Sequence, residues 1–292
     1  MGFDHSVMQM VQSIWQWGGA AADPVFAAFT FLGEETFLLV AVFGVYWCLN
    51  KRMGEYLLLA LYTGIGANGV LKDLVRRPRP FLTPGFEDLR YVQLNGPLVD
   101  TVHLRESFSF PSGHSQCAGA FFGGMAAWQK NRRTTALCAL MILAVMASRL
   151  YLGVHFPTDV LMGAVLGLAM AWGCLWLFRK FYDHRLWLFA AAVGLTLLGL
   201  LADPTPDTVK TIGVGLGAWI GMVWESRFCF VVQGSAGRRI LRLVLGAAVL
   251  MALRLGLKVL FPAGVLFDGL RYALVGFAAT GLWPWAFTRL SL

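Results

Sequence analysis

The stretch Ser148-Arg-Leu-Tyr-Leu-Gly-Val-His-Phe-Pro-Thr-Asp159 separates two apolar runs, at about 134 to 152 and 157 to 178. Each run approaches the roughly 20 residues that a helix needs to cross a hydrocarbon layer. Pro157 suits a first helical turn, so the stretch reads as the end of one span, a tight connection and the start of the next. Arg149 then lies in the last turn of the first helix, His155 just before the second, and Asp159 in its first turn. A carboxylate beside an imidazole fixes the tautomer and leaves the other ring nitrogen free to attack or to take a proton. A first-turn acid is also what the helix dipole alone favours, and taken singly the stretch leaves both readings open.

Working outward, similar runs recur at about 36 to 50, 54 to 75, 114 to 129, 186 to 202, 209 to 226, 240 to 260 and 266 to 288. The chain has 292 residues, of which 58% are hydrophobic and only 14% charged, with a mean hydropathy of +0.64. A soluble domain carries about 25% charged residues. The expected fold is therefore all-α, a polytopic membrane bundle of about nine transmembrane helices. Gly33, Glu34 and Glu35 mark a break before the first run. The opening MGFDHSVMQM lacks a basic start, an apolar stretch and a small-residue cleavage site, so the first helix is expected to stay. Residues 7 to 17 suit a helix lying at the interface, with Trp15 and Trp17 at headgroup depth. Cys48, Cys117, Cys138, Cys174 and Cys229 sit in apolar runs without CxxC or metal-ligand spacing and read as small core residues.

A formal charge of +8 raises the question of nucleic acid, but the basic residues are placed as topology signals. Lys51, Arg52, Lys130, Arg132, Arg133, Arg179, Lys180, Arg185, Arg227, Arg238, Arg239, Arg242 and Arg289 fall in alternate connections or at the terminus, which makes those sides cytoplasmic. The connection from 76 to 113 belongs outside by this alternation, yet it holds Arg76, Arg77, Arg79, Arg90 and Arg105. Cations kept on the wrong side of a membrane need a reason other than topology.

That connection ends in two further chemical segments. Lys72-Asp-Leu-Val-Arg-Arg-Pro-Arg-Pro80 closes a span, because Pro78 disfavours helix at Arg77. Lys72 and Arg79 can converge on one anion, the lysine as a point charge and the arginine as a planar fork. Phe110-Pro-Ser-Gly-His114 opens the next span. Its free backbone N–H groups form an anion site that Gly113 lets phosphate approach, with His114 beside it. Each segment alone has a plain reading, snorkelling charges or an ordinary cap. Cations, an anion nest, two histidines and an acid at three consecutive outer helix ends read together as a phosphoryl-transfer site.

With these residues in view, the chain resembles the type 2 phosphatidic acid phosphatases, which share an active-site plan with bacterial acid phosphatases and vanadium haloperoxidases. Its eleven fixed positions are matched by Lys72, Arg79, Pro80, Pro111, Ser112, Gly113, His114, Ser148, Arg149, His155 and Asp159, with spacing intact. The resemblance covers about residues 30 to 180 and has a bacterial look in FGVYWCLNKRMG. It implies a six-helix-type catalytic core at 34–184, which leaves 1–33 as the N-terminal interfacial segment and 185–292 as a C-terminal membrane extension outside the resemblance. It also implies that His155 is the nucleophile, that Asp159 orients it, and that His114 protonates the leaving oxygen. Lys72, Arg79, Ser112, Gly113 and Arg149 would hold phosphate oxygens, with no metal and no cofactor. The implied substrate is a lipid phosphate monoester or diphosphate, met at the outer face of a bacterial cytoplasmic membrane, with membrane lipids but no nucleic acid as partners. The oligomeric state stays open. A phosphotransferase would use the same residues, and a non-catalytic transporter or scaffold would need neither both histidines nor the acid. In the last two spans, Arg254, Lys258 and Arg271 suggest an accessory anion site, against a plain pairing of Asp268 with Arg271 at i and i+3.

Overall fold

The computed structural model describes residues 2–94, 101, 104, 107–202 and 205–290. It is all-α among the described residues, with thirteen α-helices. These are α1 (Phe3–Gln12), α2 (Ile14–Gly18), α3 (Ala22–Phe31), α4 (Glu35–Gly44), α5 (Lys51–Val75), α6 (Gly113–Gln129), α7 (Arg132–Tyr151), α8 (Pro157–Lys180), α9 (Arg185–Ala202), α10 (Pro206–Glu225), α11 (Ala236–Leu260), α12 (Val265–Phe277) and α13 (Trp283–Leu290). A π-helical turn, Val45–Leu49, extends α4, and another, Ala278–Leu282, joins α12 to α13. All nine apolar runs of the sequence are thus helical. Among the described residues, five continuous helical stretches are long and apolar enough to cross a membrane, and α3 with α4, bent by 54° at their break, make a sixth if the pair is one broken span and not a re-entrant loop. The protein is an integral membrane protein. The helices α5, α6 and α10 do not meet the same length and apolarity test.

The helices divide into two compact units, Met1–Leu38 with Ala67–Leu175, and Leu39–Gly66 with Trp176–Leu292. In the first, lipid-like surface and small-residue core are on opposite sides of the same helix. Leu137, Leu140 and Leu143 of α7 and Leu161, Val165 and Trp172 of α8 point outward and are exposed. Where α6 meets α8 the contact is made by small residues, because helices in a lipid-like medium pack through residues that let backbones approach. A Cβ on Gly167 of α8 would lie 2.1 Å from the Gln116 carbonyl of α6, and one on Gly119 of α6 would lie 2.8 Å from the Ala164 carbonyl of α8. Gly163 continues the seam against the Ser112 carbonyl at 2.5 Å. This seam ties the N-terminus of α6 to that of α8.

In the second unit, α10 and α12 meet along a similar seam, where a Cβ on Gly213 or Gly217 would strike the carbonyls of Gly269 or Ala273 at 2.2 and 1.8 Å. Two buried carboxylates inside this unit face cations. Lys51 Nζ donates to both oxygens of buried Glu225 at 2.7 Å, and Arg185 lies 3.4 Å from buried Glu55. Arg271 pairs with Asp268, the plain alternative of the sequence. Arg254 and Lys258 are exposed on α11, the Arg254 guanidinium 6.0 Å from the Tyr272 ring centre. Four cysteines are buried as expected, whereas Cys229 is exposed just after α10, where the helix has ended and no core surrounds it.

The expected helix over 7 to 17 is present as α1 and α2, broken at Ser13. Trp17 is 91% exposed, and the side chain of Trp15 falls outside what is described. One side of α1 is fastened to the long connection by polar contacts. His5 and Gln9 each lie 2.8 Å from the Asp88 carboxylate, and Gln12 exchanges hydrogen bonds with the backbone of Arg90.

Candidate active site

Four helix ends and one connection build the site. The chain turns between α3 and α4 at Gly33, where a Cβ would press on Val145 at 2.8 Å and on His114 at 3.1 Å. That close approach brings Glu34 to the start of α6. There Ser112 is the N-cap, its hydroxyl accepting from the Ser115 N–H at 3.4 Å and the Ser115 hydroxyl at 3.1 Å. Glu34, Glu35, Thr36, Asn68, Lys72, Arg79, Leu104, Gly113, His114, Arg149 and His155 line one cavity of about 240 Å³. Six residues singled out from the sequence thus meet there: Lys72, Arg79, Gly113, His114, Arg149 and His155. Ser112 and Asp159 are fully buried and absent from the lining.

The imidazole of His155 is held from one side. Its Nδ1 donates to the Ser109 carbonyl at 2.8 Å, while the Asp159 carboxylate stands 3.7 Å from the same nitrogen. A carbonyl can only accept, so Nδ1 carries the hydrogen and Nε2 keeps its lone pair. Burial, then the nearby cations Arg79, Arg149 and Lys72, push His155 well below the ordinary imidazole pKa, which keeps the ring neutral. Asp159 accepts from the Phe156 N–H at 2.9 Å and from Arg77 at 2.8 Å, and so shapes the turn that carries His155. Arg77 also donates to Asp4 at 2.9 Å and lies 3.8 Å over the Phe156 ring, so it is fixed behind Asp159 by protein partners and is not a snorkelling charge.

Arg79 is a clamp. Its Nε reaches the carbonyls of Leu104 and Ser107 at 2.9 and 3.0 Å, one terminal nitrogen the Val154 carbonyl at 2.9 Å, and the other the Ser107 hydroxyl at 2.8 Å. The first terminal nitrogen is also 3.3 Å from His155 Nε2. Burial, opposed by Asp159, lowers the guanidinium to about 10, so it remains a cation at neutral pH. Arg149 is equally buried but poorly paired: one contact of 3.4 Å with the Thr30 hydroxyl, and no partner for Nε among the described residues. The Thr30 hydroxyl itself donates to Ser148 at 2.8 Å, pinning α3 to α7.

On the opposite wall, His114 Nε2 lies 2.9 Å from Glu34 Oε1. Sequence reading saw Glu34 only as part of a helix break. It also missed the Ser109 carbonyl, which no side-chain motif can announce, and Asn68, whose amide donates to Gln116 at 2.8 Å and the Pro111 carbonyl at 3.3 Å. The connection after α5 packs its aromatic residues over the α7–α8 turn, Phe81 stacked on Tyr91 at 4.0 Å and Phe86 edge-on to Phe156 at 5.1 Å. Arg105 lies outside the described residues. Arg254, Lys258 and Arg271 belong to the second unit and do not line this cavity. Among the described residues, no three His, Cys, Asp or Glu side chains are grouped to hold a metal ion. Three convergent cations, a helix N-terminus and two imidazoles can bind a phosphoryl group and move protons around it.

Comparison with known proteins meets this geometry. The profile of the PAP2 superfamily matches residues 54–183, and that of the PAP2 superfamily phosphatase transmembrane extension matches 209–292. The chain is 33% identical over 159 residues to phosphatidylglycerophosphatase B of Bacillus subtilis, an alignment covering 50% of this chain and 70% of that protein. Over 169 residues it is 28% identical to phosphatidylglycerophosphatase B of Escherichia coli, covering 46% of this chain and 66% of that one. The crystal structure of Aquifex aeolicus LpxE matches 60% of this chain and 96% of its own, with a TM-score of 0.50 and 22% identity, which shows a shared fold.

Proposed function

This chain belongs to the PAP2 superfamily and is a phosphatase of its lipid phosphatase family, and from that premise we propose that it hydrolyses a lipid phosphate monoester through a phosphohistidine on His155. The observation that carries the reading is the cavity where Lys72, Arg79 and Arg149 converge beside a neutral, oriented His155 and a carboxylate-paired His114. His155 Nε2 attacks phosphorus, and the P–O ester bond breaks with its electron pair leaving on the alcohol oxygen. His114 gives that oxygen a proton. Nδ1–H of His155 stays on the Ser109 carbonyl, which supports the charge that develops on the ring. Water then attacks the phosphohistidine, His114 takes the water's proton, and the P–N pair returns to His155. The cations and the backbone N–H groups of α6 stabilise the transferring oxygens throughout, without a metal.

The names of the relatives make a glycerophosphate headgroup the first candidate. Glu34 and Glu35 on the wall favour a monoester, since a diphosphate would bring a second anionic group toward two carboxylates. The active site faces outward from the cytoplasmic membrane in this reading, because Arg77 and Arg79 of the 76–113 connection, misplaced by the positive-inside rule, then serve the site through Asp159 and the cavity. Purified protein mixed with lipid phosphate labelled on phosphorus should give a base-stable, acid-labile phosphoenzyme. His155→Ala should lose both label and turnover while melting in detergent near the wild-type temperature. Turnover with that variant, or label on another residue, refutes the covalent mechanism. Activity that vanishes with EDTA and returns with a divalent ion refutes the metal-free one.

A further inference from the structure

The Glu34–His114 contact brings to the cavity a carboxylate that lies outside the motifs, and the fold goes to some length to make it. The chain leaves helical geometry between Phe31 and Glu35, bending 54° there. Gly33 lets this break press against the backbone of His114, where any side chain would meet Val145 Cγ1 at 2.8 Å and the His114 carbonyl at 3.3 Å. One turn earlier, the Thr30 hydroxyl donates to Ser148 and touches Arg149, so α3 is registered against α7 immediately before the break. Glu34 is thereby held from both sides, and its carboxylate sits at the cavity wall, 2.9 Å from His114 Nε2.

We propose that Glu34 is the positioning residue for the proton-transferring His114: it accepts Nε2–H, and so assigns proton delivery and recovery to Nδ1. The inference rests on the reading of His114 as the acid. In the first half-reaction, imidazolium Nδ1–H passes to the leaving oxygen as the P–O bond breaks, while Nε2–H stays on Glu34. In the second, Nδ1 takes a proton from the attacking water. The carboxylate is never protonated in this cycle; it keeps one tautomer and one ring orientation through both steps. Without it the neutral ring can place its hydrogen on either nitrogen, and half the cycle meets the wrong one.

Acid catalysis matters in proportion to how poor the leaving group is, and this separates the role from a structural one. The experiment uses the full-length protein in detergent and a series of phosphate monoesters with a common long chain, whose leaving groups range from nitrophenol-like to alkanol-like. For Glu34→Gln, kcat/KM, which reports only the steps up to departure of the leaving group, should fall about 10- to 100-fold on the alkyl phosphate and stay within about threefold on the nitrophenyl member. An equal loss along the series, with the melting temperature unchanged, overturns the proposal. Should Glu34→Gln fail to fold, Glu34→Asp, which keeps the charge but draws it back by one methylene, is read on the same series with the same criterion. His114→Ala separates the two failures. A leaving-group-dependent loss there with a uniform loss for Glu34→Gln sinks the positioning role alone, whereas a uniform loss for His114→Ala sinks the acid assignment and the proposal with it.

Discussion

Arg149 is buried with few hydrogen bonds, and replacing it by methionine tests whether its guanidinium holds the phosphate. Its side chain is 1% exposed, as is that of Arg79. Arg79, however, reaches three carbonyls and a hydroxyl, while Arg149 has a single 3.4 Å contact with Thr30 and an unpartnered Nε among the described residues. A buried cation without full hydrogen bonding costs several kcal/mol of desolvation that the fold does not recover. Methionine keeps most of the stem volume and removes the charge. The unliganded Arg149→Met protein should therefore melt in detergent at or above the wild-type temperature. Function should move the other way. Two charge-assisted bonds to phosphate oxygens, at about 1.5–3 kcal/mol each, sum to about 3–6 kcal/mol. Lost from the transition state, they lower kcat/KM by about 10²- to 10⁴-fold. The same contacts hold vanadate, which at a hundred times its Kd should stabilise the wild type by about 2.7 kcal/mol. Thermal unfolding with and without vanadate, on both proteins, is the assay. A variant that keeps the vanadate shift, or that melts far below wild type while empty, would show that Arg149 is a structural cation and that the phosphate is held elsewhere.

The small-residue seam makes a second expectation. Gly167→Ala puts a methyl 2.1 Å from the Gln116 carbonyl and 2.8 Å from the Ala120 nitrogen, so α6 and α8 must part. The packing cost is about 1–3 kcal/mol, and a shift of about 1 Å between His114 and His155 costs about 10²-fold in kcat. Gly173→Ala on the same helix, which meets nothing within 4 Å, should be neutral in both thermal melting and turnover. A third concerns pH. With its pKa held well below the ordinary value of about 6.5, His155 stays neutral as the medium acidifies, so the rate of enzyme phosphorylation in rapid-quench experiments should persist below pH 6. The unfolded chain does take up this proton below about pH 6.5, so His155 makes the fold progressively less stable from there down to its own depressed pKa. A phosphorylation rate that halves near pH 6.5 refutes the neutral-nucleophile argument.

What could be read in advance was whatever the chain writes over short distances. Proline and glycine at helix ends, a cap serine, and cations or imidazoles one or two turns apart place Lys72, Arg79, Gly113, His114, Arg149 and His155 on helix ends before any coordinates, and these residues do line one cavity. The partners that orient them are remote. Glu34 meets His114 across 80 positions, the Ser109 carbonyl meets His155 across 46, and Thr30 meets Ser148 across 118. No spacing rule reaches that far, and a backbone carbonyl has no letter of its own. Asp159 illustrates the difference: its proximity to His155 follows from the i and i+4 relation, yet the shorter contact of Nδ1 goes to a carbonyl that only the fold supplies.

The same logic explains why hydropathy finds the helices but not all of the spans. A helix facing lipid over much of its surface must be apolar there, as α7, α8 and α11 are, and it passes a length and hydropathy test easily. Helices deeper in a unit answer to protein instead. Glu55 and Asn68 on α5 and Gln116 on α6 are buried, and each has a protein partner: Arg185 for Glu55, and one another for the two amides. Such residues dilute hydropathy without exposing a polar atom to hydrocarbon, since the groups they would otherwise leave unsatisfied are paired inside. The candidate site residues divide between the two kinds of helix: Lys72 lies on α5 and His114 at the start of α6, which do not meet the test, whereas Arg149 lies in the last turn of α7, which meets it because a charge at a helix end leaves the apolar stretch before it intact.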